Sequence, residues 1–214
     1  MGKPVRKVAI VDYGMCNLDS VARAIELCGG RPEIVSQPDD LSKGDLLILP
    51  GVGAFASAMC ALRERGFVQA LAEHTLGRAK PLLGICLGMQ LFASHGYEGE
   101  TTEGLGWISG DVRRLRPQSV GERVPHVGWN DVSVLQQSPI FDGMSPEFSC
   151  YFVHSYALHC AQPNHEIART NYCGGFTAAV RCGNIFGVQF HPEKSQRWGI
   201  RMLENFAAFV REVR

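Results

Sequence analysis

The first half of the chain switches hydrophobic period at regular intervals. The run VRKVAIV (5–11) is apolar and β-branched. Residues 17–28 then carry Leu18, Val21, Ala22, Ile25 and Cys28 at helical spacing before Gly29-Gly30 stops them. PEIVS (32–36) and DLLILP (45–50) read as strands, 54–74 as a helix, PLLGIC (81–86) as a fourth strand and LGMQLFA (87–93) as the helix after it. Parallel strands need a crossover to return to the same end, and helices supply it on both faces of the sheet. In such sheets chemistry collects in the loops at the carboxyl ends of the strands. ILPGVG and GICLG both fall there.

From about residue 105 to 190 the pattern changes to short runs between turn residues: GLGWISG, VPHVGWNDVSVL, CYFVHSYAL, GFTAAVRCGN and IFGVQFHP. These read as antiparallel hairpins. A last helix places Met202, Leu203, Phe206, Phe209, Val210 and Val213 on one stripe. The expectation is an α/β fold with a mostly parallel central sheet, helices on both faces and antiparallel hairpins in the second half. No linker or repeat interrupts it, so residues 1–214 are expected to form a single domain.

Composition narrows the function classes. Lys plus Arg and Asp plus Glu both number 21, so the formal net charge is zero. With no basic stripe interleaved with aromatics, a nucleic-acid partner is not expected. No apolar run reaches transmembrane length, and the first residues read as a strand rather than a signal peptide; no membrane partner and a cytoplasmic location are expected. The eight cysteines lack short paired spacings, and no Cys-x-x-Cys is present. They are expected to be reduced, with no metal site; His154, His159 and Cys160 lie close in sequence without a ligand pattern.

One cysteine is set differently. Cys86 lies between Gly84 and Gly88 where an apolar strand meets a helix, the layout of a nucleophile elbow with sulfur in place of a hydroxyl. A nucleophile also requires a base, an orienting acid and oxyanion donors. GVQFHPEKS (187–195) offers His191 at a strand end and Glu193 two residues on, on the same side of an extended segment. Glu193 then fixes the ring tautomer while the other ring nitrogen faces Cys86. Taken alone, His191 is one histidine of seven beside a surface glutamate; with the elbow, a triad is the stronger reading. The Leu87 amide follows the nucleophile and is the natural first oxyanion donor. The second is either in PGVG (50–53), or that loop is a simple turn.

PGVGAF, GICLGMQLF, PHVGWN, YFVHSY and FGVQFHPEKS, in this order, resemble the class I (triad-type) glutamine amidotransferases. Within that family PHVGWN and YFVHSY resemble the glutaminase subunits of imidazole glycerol phosphate synthases, and the likeness runs from VDYGMCNL to the final helix. It implies a triad of Cys86, His191 and Glu193, with the Val52 and Leu87 amides as the oxyanion hole. Gln90, Gly53, Glu98, Ser155 and Tyr156 are implied contacts for L-glutamine; read as residues alone, Gln90 is also an ordinary polar helix residue and Tyr156 a strand aromatic. Asn17, Trp129, Asn130, Tyr151 and Lys194 match positions facing a (β/α)8 cyclase subunit. Cys16 replaces the glycine usual in DYGMGNL. The implied reaction is hydrolysis of the glutamine amide through a thioester, with ammonia passed to the cyclase in a heterodimer and no cofactor needed. Rival readings are a glutaminase serving another synthase, a stand-alone cysteine peptidase or γ-glutamyl hydrolase, and a non-catalytic binding module.

Overall fold

Side chains along β1 (Lys7–Val11) alternate between two separate cores. Val8 and Ile10 join one; Ala9 and Val11 join the other. Alternation of this kind requires a sheet buried on both faces. The computed structural model describes residues 5–209. Strand β1 is flanked by β2 (Arg31–Val35) and β3 (Leu46–Gly51), and β3 leads to β4 (Leu82–Cys86) and then β13 (Ile185–Val188), all parallel. Beyond β13 the sheet continues antiparallel through β12 (Phe176–Cys182), β11 (Glu166–Thr170), β8 (His126–Val134) and β9 (Glu147–His154). Four shorter strands form a second sheet, in the order β10 (Tyr156–Cys160), β7 (Gly110–Arg114), β5 (His95–Glu98), β6 (Glu100–Glu103).

Helices α1 (Leu18–Leu27) and α5 (Gln196–Ala208) cover one face through Val21, Ile25, Met202 and Phe206. Helices α2 (Phe55–Glu64) and α3 (Phe67–Ala72), with Val112 and Leu158 of the second sheet, cover the other. In register, Gly51 of β3 pairs with Cys86 of β4, and Ile85 with Val188 of β13. Three strands thus end side by side, and Val52, Leu87 and Gln189 leave the sheet along one edge.

Several elements differ from the sequence expectation. The helix expected over 54–74 is two helices, broken at Gly66, which takes a left-handed φ of 73°, and it runs into a π-helical turn over Glu73–Gly77. The helix expected over 87–93 is a single turn, α4 (Leu87–Gln90). GLGWISG is not a strand before Gly110; its Leu105, Trp107 and Ile108 amides donate to Leu91 and Phe92 carbonyls and close off that turn. CYFVHSYAL is divided at Ser155, with β9 in the main sheet and β10 in the second. The stripe of α5 holds for Met202, Leu203 and Phe206; Phe209 follows the helix end and packs on the same core, and Val210 and Val213 lie outside the described residues.

Candidate active site

The elbow is built by close approach. Cys86 has φ 54° and ψ −107°, a conformation that L residues rarely adopt and that costs about 1–3 kcal/mol. The neighbouring glycines let the turn pack onto the sheet. A Cβ on Gly84 would sit 2.6 Å from Phe92 Cζ and 2.7 Å from the Met89 nitrogen, and one on Gly88 would overlap the Leu49 carbonyl oxygen. α4 is a single turn, so its dipole is small.

A cleft of about 270 Å³ opens over the sulfur. Its walls include Val52, Gly53, Cys86, Leu87, Gln90, Glu98, Ser155, Tyr156 and His191, so every residue expected to touch glutamine or the oxyanion borders one space. His191 Nδ1 lies 2.7 Å from Glu193 Oε1, with both side chains buried. A neutral ring bonded to a carboxylate carries its proton on Nδ1, which leaves Nε2 free to accept. Nε2 is buried and makes no well-formed hydrogen bond within the described residues. Burial by itself lowers the basicity of the ring, but the nearby Cys86 sulfur and the Glu193 carboxylate bonded to Nδ1 outweigh it and hold His191 well above the ordinary histidine range.

The remaining expectations fare unequally. Glu98, on the β5–β6 hairpin, reaches the cleft and accepts a 2.8 Å bond from the Phe55 amide, capping α2 where Ala54 cannot. The Gln90 amide nitrogen is engaged with the Tyr156 carbonyl at 2.8 Å and Gln189 Oε1 at 3.0 Å. Val52 departs from expectation: its amide donates to the Met15 carbonyl at 2.9 Å and is not free to face an oxyanion. The Leu87 amide opens the turn and has no intrahelical partner. Among the described residues no group of three or more His, Cys, Asp or Glu side chains is arranged to hold a metal ion.

On the partner side, Trp129 is half exposed and meets the Tyr151 ring edge-on at 6.2 Å, while Lys194 Nζ sits 5.8 Å over Tyr151. This patch is tied to the base: the His191 amide donates to Tyr151 O at 2.9 Å, and Ser195 Oγ links His191 O (2.6 Å) to the Tyr151 amide (3.0 Å). Asn17 is exposed at the start of α1 and makes no side-chain cap. Asn130 points inward, its amide 3.2 Å from His126 Nε2.

Two buried polar residues, Gln189 and His126, were missed in the sequence, and a third, His154, was read only as a histidine without a ligand pattern. Gln189 donates to Cys86 Sγ at 3.6 Å. The signal was available: a glutamine two residues before His191 in an apolar strand end faces the same side. His126 and His154 form the other group. His154 Nδ1 is 2.9 Å from the Tyr156 carbonyl, and its Nε2 is 3.3 Å from His126 Nδ1. A carbonyl only accepts, so His154 is protonated on Nδ1 and His126 donates to its Nε2. Burial, above all, pushes His126 down to about 4 and His154 to about 3, so both rings are neutral at pH 7.

That neutrality has a measurable cost in acid. Between about pH 6.5 and 4 the unfolded chain takes up two protons that the native rings refuse, so stability falls as pH falls. Each ring contributes a slope of about 1.4 kcal/mol per pH unit across that window. Urea unfolding at pH 7, 6 and 5 should show His126→Phe with a slope shallower than wild type by about one ring's share. An unchanged slope would mean that His126 takes up its proton as readily in the native protein as in the unfolded chain.

A strained cysteine and a buried His–Glu pair thus meet where three parallel strands end, an arrangement able to support nucleophilic chemistry on sulfur. Comparison with known proteins narrows it: residues 9–209 match the family model for glutamine amidotransferase class-I, and the chain belongs to that family. It is 46% identical over 200 residues to the imidazole glycerol phosphate synthase subunit HisH 1 of Campylobacter jejuni, covering 94% of this chain and 98% of that one. Identity to HisH of Moorella thermoacetica is 43% over 207 residues, with 97% of each chain covered. The fold also resembles a chain of PurLQS from Thermotoga maritima, with a TM-score of 0.76, 21% identity, and 95% and 98% of the two chains covered.

Proposed function

We propose that this chain is the glutaminase subunit of an imidazole glycerol phosphate synthase, hydrolysing L-glutamine and passing ammonia to a (β/α)8 cyclase subunit. The observation that carries the chemistry is the shared cleft: Cys86 on its strained turn and His191, backed by Glu193 at 2.7 Å, border the same small space. The likeness to HisH subunits over nearly the whole chain supports the partner and the pathway.

In this reading the Cys86 thiolate, paired with the His191 imidazolium, attacks the side-chain amide carbon of glutamine. The carbonyl oxygen takes negative charge and is held by the Leu87 amide. His191 gives its proton to the departing nitrogen, which leaves as ammonia, and a γ-glutamyl thioester remains. Glu193 keeps the ring oriented and stabilises its charge throughout. Water, deprotonated by His191, then attacks the thioester, and glutamate leaves as the thiolate is restored. Ammonia released to bulk water becomes ammonium and is no longer nucleophilic, so a sealed partner is required.

The Val52 amide supplies the control. Bonded to Met15, it leaves one oxyanion donor, and a rotated peptide between Gly51 and Gly53 supplies the second. Gly53 already holds a φ of 110°, outside the range favoured by other residues. Docking against Trp129, Tyr151 and Lys194 reaches His191 through one backbone bond and the Ser195 hydroxyl bridge, and the same partner biases that loop. The purified chain should therefore hydrolyse glutamine slowly, and cyclase with its nucleotide ligand should raise the rate by at least about a hundredfold, the loss expected for one missing oxyanion donor. If the lone chain already matches the ligand-bound complex, the control is wrong. Efficient hydrolysis of γ-glutamyl peptides by the lone chain would instead identify a stand-alone hydrolase.

A further inference from the structure

We propose that Gln189 is a positioning residue that holds the Cys86 sulfur in its thiolate form by donating an N–H to it, with its direction locked by the Tyr156 carbonyl acting through Gln90. The proposal rests on Cys86 being the nucleophile.

The lock follows from donor and acceptor types alone. Oxygen and nitrogen of a side-chain amide are nearly alike in shape, so which one faces a neighbour is decided by the bonds around it. The Tyr156 backbone oxygen can only accept. The Gln90 atom 2.8 Å from it must then be the nitrogen. That same nitrogen lies 3.0 Å from Gln189, so the Gln189 atom it meets must be the oxygen. The Gln189 nitrogen is left with one direction, toward Cys86 Sγ at 3.6 Å. Turning Gln189 over would place two donors face to face; turning Gln90 as well would set two acceptors together at Tyr156. Both residues are buried, Gln189 completely, so water cannot relieve either clash.

A fixed donor against sulfur favours the ionised form, because an N–H bond to a charged acceptor is roughly twice as strong as one to a neutral acceptor. His191 and Gln189 then divide the work on one atom. His191 moves protons during turnover, whereas Gln189, having no proton to lose, holds the sulfur in place and charged at every stage in which it is free. His154 adds a second bond to the same Tyr156 carbonyl at 2.9 Å, so the anchor of the lock is itself held. Gln189 reaches the cleft only through these partners and is not on its wall, which makes it a support for the reacting atom rather than a contact for glutamine.

The test is alkylation of Cys86 by iodoacetamide in the whole chain, followed from pH 5 to 10 by mass spectrometry of the Cys86 peptide. Thiolate is the reacting species, so the rate profile reports its population. In Gln189→Met, which keeps size but loses the donor, the profile should move to higher pH by about one unit. Well below the midpoint the rate then falls by up to about tenfold, and the high-pH plateau is kept. Gln189→Glu should move it in the same direction, and Gln90→Met, which frees Gln189 to turn, should move it less. A purely structural role predicts lower rates at all pH values with no displacement of the profile, and that result overturns the proposal. A measurement on the unaltered protein guards against variants that fold poorly. The Gln189 side-chain NH2 signals in a ¹⁵N–¹H spectrum should titrate with the alkylation profile and stay flat in Cys86→Ser; signals that do not titrate in the wild type also overturn it. The two levels of failure are separable. Glutamine hydrolysis surviving in Cys86→Ala removes the nucleophile itself, whereas an unmoved profile beside an inactive Cys86→Ala removes only the role of Gln189.

Discussion

Cys86→Ala should lose glutamine hydrolysis by more than about a thousandfold, since removing the nucleophile of a triad costs nearly as much as removing all of it. Synthesis by the cyclase complex from added ammonium salt should continue, because only the supply of ammonia is cut. Alanine retains Cβ and therefore the cost of the positive φ at this position, so the melting temperature should stay close to wild type. The loss is then chemical and not a failure to fold. Assaying both nitrogen sources on the same preparation checks this directly. Residual hydrolysis of glutamine above a trace would remove Cys86 from the reaction.

Gly88→Ala should do the opposite, breaking structure first. Its Cβ would overlap the Leu49 carbonyl oxygen of β3, a main-chain atom of a fully buried strand that cannot swing aside. Relief requires lifting α4 off the sheet, with the Leu87 amide and Gln90 carried along. Overpacking of this kind costs typically about 1–3 kcal/mol, and rigid backbone on both sides places this case at the upper end. Urea unfolding should show that loss, and hydrolysis of glutamine should fall at least tenfold even at temperatures where the variant is folded. Unchanged stability and rate would show that the turn is looser than the described packing.

These two glycines explain why the site was largely legible in the sequence. Steric demand on Gly84 and Gly88 is local, so a glycine–cysteine–glycine pattern between an apolar strand and a helix start carries its own meaning. His191 and Glu193 were legible for a similar reason: two residues on an extended segment share a side. The parallel half of the sheet followed from period, because strands buried on both faces read as continuous apolar runs. What failed was decided by distant partners. The 95–103 hairpin is polar and was not read as strands; it exists because β5 pairs with β7 of the second sheet and Glu98 caps α2. β11 was missed; it forms a hairpin with β12 and is completed on its other side by pairing with the distant β8. Ser155 divides two strands that the sequence joins, since its carbonyl is claimed by the Leu115 amide at 2.8 Å. The engagement of the Val52 amide with Met15 depends on two loops meeting, and no local pattern encodes it. His126 and His154 were hidden by type, as neutral buried histidines resemble any polar residue in a strand until their partners are known.

The central claim is covalent: glutamine is taken apart on the sulfur of Cys86. It is tested most directly by quenching the chain in acid during turnover of glutamine labelled with ¹³C in its carbon skeleton, and mapping the label by peptide mass spectrometry. The account predicts one modified peptide carrying a γ-glutamyl group on Cys86, absent from Cys86→Ala and discharged by hydroxylamine. Label on any other residue, or turnover with no acylated peptide at any quench time, would contradict it.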